Sequence, residues 1–122
     1  MTRKNKFKNI YNALTEIDNL KDFNYILTEY SQYLTIILFY NEKCINCNEI
    51  FKNLNKVRID NNNNNLLFFK INSTNNDEIV AELDLTSTPL IFFYKDKKMI
   101  TSIFATLDNI IEIINDRINK YL

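Results

Sequence analysis

Apolar residues along this chain fall into blocks of two kinds. The first kind is short and continuous: "TIILFY" at 35–40, "NLLFFKIN" at 65–72 and "PLIFFYK" at 89–95. Such runs, rich in β-branched and aromatic residues, read as strands buried on both faces, as in a parallel sheet. The second kind is periodic. Leu20, Phe23, Ile26, Leu27 and Tyr30 recur at helical spacing within 20–32. Cys47, Ile50, Phe51, Leu54 and Val57 do the same, which predicts a helix starting at or just before Cys44. A short helix is expected over 75–85, with Ile79, Val80 and Leu83 inward. The last block, 107–122, is amphipathic, with Leu107, Ile110, Ile111, Ile114, Ile118 and Leu122 forming one stripe. Asp18 or Asn19 is expected to cap the first helix and Asp108 the last. Residues 9–17 read as a short edge strand, and "MITSIF" (99–104) as the return strand of a hairpin after the charged turn "KDKK". The order is β-α-β-α-β-α-β-β-α, with no repeat and no linker. It predicts one α/β domain over 10–122, behind a flexible basic segment at 1–9.

Composition changes this picture in a few places. The chain has 122 residues, no Gly, one Pro, and an excess of Asn, Ile and Lys that points to an AT-rich genome. Without glycine, Asn is expected to take the positive-φ positions, and "DNNNNN" (60–65) reads as a loop. Formal net charge is zero, which argues against a nucleic-acid or anionic-membrane partner bound mainly by charge. No apolar run approaches the roughly 18 residues of a membrane span. The basic start has no apolar core behind it and does not read as a secretory signal. A cytoplasmic protein is therefore expected, in a compartment where thiols are kept reduced.

The two cysteines, Cys44 and Cys47, then carry the candidate chemistry. A structural zinc site usually takes four Cys or His ligands. This chain has two Cys and no His, so a metal or an iron–sulfur cluster would have to be shared between two chains. A purely structural disulfide closing so short a loop would remove little unfolded-state entropy. A redox pair fits better. A CxxC between a strand and a helix sets its first sulfur near unpaired backbone N–H groups and the positive end of the helix dipole, and both favour the reactive thiolate. The second sulfur can then attack a mixed disulfide formed on the first.

The segment "FYNEKCINCNEI", with Phe39, Glu42, Cys44 and Cys47 in matching places, resembles the active-site segment of the thioredoxin family. "FFKIN", including Lys70, resembles the family's next strand, and "TSTPLIFFYKDKK" the segment holding its cis-proline, at Pro89. The resemblance runs from about residue 10 to the C-terminus. It implies a thioredoxin fold: a central mixed β-sheet flanked by helices on both faces. It implies a protein-disulfide oxidoreductase serving electron transport, with Cys44 as nucleophile, Cys47 as resolving thiol, and Thr88 with Pro89 docking an extended client by strand addition. Lys43, Ile45 and Asn46 would line the approach to the sulfurs. No cofactor and no metal is implied. The partners would be protein disulfides and a reductase or dithiol donor, with neither nucleic acid nor membrane, and the expected state is a monomer.

Three departures bear on activity. Where the family has a buried aspartate six residues before the first cysteine, this chain has Leu38. Cys47, expected to lie under apolar neighbours such as Leu38, Phe39 and Phe69, would then lose its proton in an apolar setting, which attenuates turnover, and Lys70 would lose its partner. Lys70 is expected to snorkel to solvent or to lend its charge to a Cys47 thiolate. Lys43 replaces a common tryptophan, and Ile45-Asn46 replaces Gly-Pro. Ala105, between Phe104 and Thr106, stands where a loop glycine is usual, which narrows the client groove. The alternatives from other classes are a low-turnover thioredoxin-like binding or chaperone-like module, and a metal- or cluster-bridged dimer.

Overall fold

A computed structural model describes residues 6–63, 65–106 and 108–122. Five strands form one sheet: β1 (Thr15–Glu16), β2 (Leu34–Tyr40), β3 (Leu66–Asn72), β4 (Leu90–Lys95) and β5 (Lys98–Phe104), in spatial order β1-β3-β2-β4-β5. β1 and β2 run parallel to β3; β4 is antiparallel to β2 and to β5. The helices are α1 (Leu20–Glu29), α2 (Cys47–Asn61), α3 (Asp77–Leu83) and α4 (Ile110–Tyr121). The element order matches the periodicity, and the central place of β2 explains why its run carries no polar alternation.

Two apolar cores sit on opposite faces of the sheet. Leu34, Ile36 and Leu38 of β2 join Ile50, Leu54 and Val57 of α2 and Ile110, Ile114 and Ile118 of α4. Ile37 and Phe39 point the other way, with Leu67, Phe69 and Ile71 of β3, Phe23 and Ile26 of α1, and Ile79 of α3. Successive side chains of a strand alternate faces, so one continuous run supplies both cores.

Several boundaries differ from the sequence expectation. The flexible segment at 1–9 does not extend through its described part. Phe7 is 2% exposed, Ile10 is equally covered, and Lys6 pairs with Asp22. Phe7 and Ile10, three residues apart, present one apolar side to the second core. The edge strand expected over 9–17 shrinks to Thr15–Glu16, because residues 7–13 form turns. Asn19 caps α1, its Oδ1 accepting from the Asp22 N–H at 2.8 Å. At α4 the cap position is Asn109 rather than Asp108, with no side-chain cap bond. Leu122 lies past the end of that helix and is exposed, while Leu107 lies outside the described residues. The asparagine run is not all loop, since α2 continues through Asn61. Among the described residues, left-handed φ falls on Asp84, Asp96 and Lys97 rather than on Asn. Asp84 ends α3 in the left-handed conformation. Asp96 and Lys97 form the two-residue hairpin loop, whose twist requires positive φ at both places.

Candidate active site

β2 ends at Tyr40, and the chain turns before α2 begins. Asn41 organises that turn. Its carbonyl accepts from the Cys44 N–H at 3.2 Å, and its Oδ1 accepts from the Lys43 N–H at 2.9 Å. The Glu42 N–H donates to Thr74 Oγ1 at 3.1 Å. These bonds form a separate turn over 41–44, so the helix starts at Cys47 instead of at or before Cys44. Cys44 thus stands just ahead of the helix and Cys47 is its first residue. Asn46 is the cap position without a side-chain cap bond, and the first helical bond there runs from the Ile50 N–H to the Asn46 carbonyl at 3.0 Å. The opening N–H groups of α2 therefore have no intrahelical acceptor, and they lie beside the sulfurs.

Cys44 and Cys47 are joined in a disulfide, with their Cα atoms 5.5 Å apart. Their environments differ. Cys44 is half-buried, whereas Cys47 is 8% exposed. Ile45, between them, is 95% exposed, and Lys43 and Asn46 are exposed as well. Brief iodoacetamide treatment of the reduced protein near neutral pH is expected to label Cys44 well before Cys47, as read by peptide mass mapping. Equal labelling, or labelling of Cys47 first, would contradict the difference in burial.

The Thr88–Pro89 peptide bond is cis. Thr88 is tied to the cysteine turn, because Asn41 Nδ2 donates to Thr88 Oγ1 at 2.7 Å. The Pro89 carbonyl accepts from the Ala105 N–H at 3.1 Å. Ala105 is buried, and its neighbour Phe104 is exposed. A cleft of about 460 Å³ opens beside Asn41 and Thr88, lined also by Ser73, Thr74 and Asp77. Asn41 is the residue that sequence reading missed here. It reads as one more polar loop residue until the two distant segments are brought together.

Leu38 is fully buried beneath α2. Phe39 and Phe69, expected from sequence around Cys47 together with Leu38, belong to the opposite face of the sheet. The expectation ignored strand alternation, by which 38 and 39 cannot share a face. Lys70 Nζ stands 4.4 Å from the centroid of the Phe51 ring, a cation–π placement. Glu16, which sequence reading also missed, is half-buried in β1 beside Lys70. It accepts from the Tyr40 hydroxyl at 2.7 Å. The signal was present in "LTEI", where alternation puts Glu16 on the face of Leu14 and opposite Ile17.

Among the described residues no helix is long and apolar enough to cross a membrane. Among them too, no group of three or more His, Cys, Asp or Glu is placed to hold a metal ion.

A family model described as Thioredoxin matches residues 14–116. Solved structures with the same fold include the thioredoxin of Fasciola hepatica, at 18% identity over 88% of this chain and 99% of that one, with a TM-score of 0.76. The thioredoxin of Schistosoma mansoni is 16% identical over 92% of this chain and 98% of its own, TM-score 0.78. That of Trypanosoma brucei brucei is 22% identical over 89% and 94%, TM-score 0.72. No curated protein matches the chain.

Proposed function

Because the chain belongs to the thioredoxin family, whose activity is thiol–disulfide exchange, we propose that it reduces protein disulfides with Cys44 as nucleophile and Cys47 as resolving thiol. The observation that carries the assignment of roles is the unequal burial of two sulfurs close enough to bond. In the reduced protein the Cys44 thiolate attacks one sulfur of a client disulfide. A Cys44–client bond forms, the client S–S bond breaks, and the first client sulfur leaves as a thiolate. The Cys47 thiolate then attacks the Cys44 sulfur, the Cys44–client bond breaks, and the second client thiolate leaves. Two electrons have passed to the client, and the Cys44–Cys47 disulfide has formed.

Thr88 and Pro89 form the docking edge for an extended client segment, with Lys43, Ile45 and Asn46 as the exposed rim. The Asn41–Thr88 hydrogen bond supports this reading, since it holds the docking edge against the cysteine turn. Lys43 adds a positive charge next to the nucleophile, and solvent screens it. Leu38 supplies packing and Lys70 charge. The electron donor is a reductase or a small dithiol, and the protein acts as a cytoplasmic monomer. The second reading, a low-turnover binding module, is favoured by one observation: Leu38 places no acid–base group in the core under α2.

An insulin-reduction assay driven by a small dithiol tests the two. Turnover is expected from the parent, and Cys44→Ser is expected to fall to the rate of the dithiol alone. A parent no faster than the dithiol would overturn the oxidoreductase reading and leave the binding module.

A further inference from the structure

Resolution of the mixed disulfide, as read above, requires Cys47 to lose its proton while buried, and Leu38 offers no atom to accept it. A carboxyl nevertheless lies on that face of the sheet. Glu16, Lys70, Leu38 and Ile91 stand side by side across β1, β3, β2 and β4. Residues paired in register share a face, and Leu38 and Ile91 place this row in the core covered by α2. Glu16 Oε1 accepts from the Tyr40 hydroxyl at 2.7 Å. Glu16 Oε2 is buried and has no hydrogen-bond partner. The Tyr40 ring meets the Phe51 ring edge-on, centroids 5.1 Å apart, and Lys70 Nζ lies over that same Phe51 ring. Phe51 is four residues beyond Cys47 on α2, on the same side of the helix and one turn along. Cys44, Tyr40 and Phe51 all pack against the core that holds Leu38.

The geometry points to Glu16 as the proton acceptor for Cys47 in the client-release step, with Tyr40 and Lys70 as its positioning residues. The inference rests on the thiol–disulfide reading above. A carboxylate serving only structure is normally hydrogen-bonded at its buried oxygens; Oε2 instead stands open to a proton. The Cys47 S–H bond breaks, its proton passes by way of solvent to Oε2, and the electron pair stays on sulfur to attack Cys44. After the client thiolate leaves, Oε2 returns the proton to solvent. Burial raises the Glu16 carboxyl above its ordinary range, while the Tyr40 hydroxyl and Lys70 draw it back and Asp18 adds to the rise. A base of raised affinity is better matched to a thiol proton. The charged and titratable groups acting on Glu16 are thus Tyr40 from β2, Lys70 from β3 and Asp18 after β1; from α2, Phe51 meets Tyr40 and Lys70 and carries no charge.

Stopped-flow reaction of the reduced protein with Ellman's aromatic disulfide tests this, because each thiol's attack releases one coloured thiolate. The first phase reports Cys44 and the second reports Cys47. Glu16→Gln, nearly isosteric, is expected to leave the first phase unchanged and to slow the second by about 10²-fold, the low end of general-base effects. It is also expected to remove the acid limb of the second phase's pH profile. Tyr40→Phe, which keeps the carboxyl but removes its donor, is expected to keep that limb and move it to higher pH. A second phase in Glu16→Gln with the parent's rate and pH profile would overturn the proposal, as would equal slowing of both phases. Absence of any second phase in the parent would instead overturn the dithiol reading itself.

Discussion

A Cys47→Ser variant is expected to stall as a covalent adduct between Cys44 and its client, with turnover falling by at least about 10³-fold. In the parent the resolving sulfur is already within bonding reach of Cys44, their Cα atoms 5.5 Å apart. Well-oriented intramolecular attack has effective concentrations on the order of 10⁵–10⁸ M, whereas a competing dithiol in solution is present at millimolar levels. Even a large discount for imperfect alignment leaves three decades. Non-reducing electrophoresis and intact mass should show the adduct, and added dithiol should release it slowly. The nucleophile is untouched, so the first attack should keep its rate. A Cys47→Ser variant that turns over normally while Cys44→Ser forms the adduct would reverse the two roles.

Leu38→Asp is expected to destabilise the fold by about 3–5 kcal/mol if the introduced carboxylate stays unpaired. For a domain of this size that lowers the thermal midpoint by roughly 10–25 °C. Leu38 is completely buried, flanked in the sheet by Lys70 and Ile91 and packed in the core under α2. The substitution removes apolar contacts and puts an ionisable group in their place. The sign of the pH dependence separates two outcomes. Unpaired, the carboxyl's folded pKa is raised, so the folded state binds the proton more tightly and the deficit grows as pH rises through that folded value. If Lys70 leaves the Phe51 ring to pair with it, the folded pKa is depressed, and the stability of the pair is lost as pH falls through it. Thermal midpoints across pH 4 to 8 decide between them. A midpoint within about 2 °C of the parent at every pH would mean that the core tolerates a charge there. Turnover of the same variant bears on Glu16. With one carboxylate already on that row, the expected gain is under about tenfold. A gain of 10²-fold or more, the scale of a newly supplied base, would show that Cys47 had none before.

Much of this protein is written in local pattern. The apolar runs at 35–40, 65–72 and 89–95 became β2, β3 and β4 because their periodicity and β-branched content are properties of neighbouring residues. The helical stripes of α1, α2 and α4 are legible for the same reason, as is the CxxC between a strand and a helix. Helix starts are less so. Cys44 lies outside α2 because Asn41 draws the preceding N–H groups into a turn of its own, a competition that apolar spacing does not record. The positive-φ residues Asp84, Asp96 and Lys97 were likewise set by a helix end and a hairpin loop, which select conformation before residue type.

Only the tertiary structure decided what surrounds the sulfurs. Parallel pairing brings Glu16 beside Lys70 and Lys70 beside Leu38, across gaps of dozens of residues. Strand alternation then sends Phe39 and Phe69 to the far face and keeps Tyr40 on the near one, against Phe51 of α2. The Asn41–Thr88 bond joins segments 47 residues apart. A strand's hydrogen-bonding edge accepts any partner of suitable pattern, and a shift of register by one residue exchanges its faces. The sequence alone therefore determines that two cysteines stand between a strand and a helix. The packing of the whole sheet determines that a half-satisfied carboxyl, a tyrosine and a lysine gather on the face over which those cysteines sit.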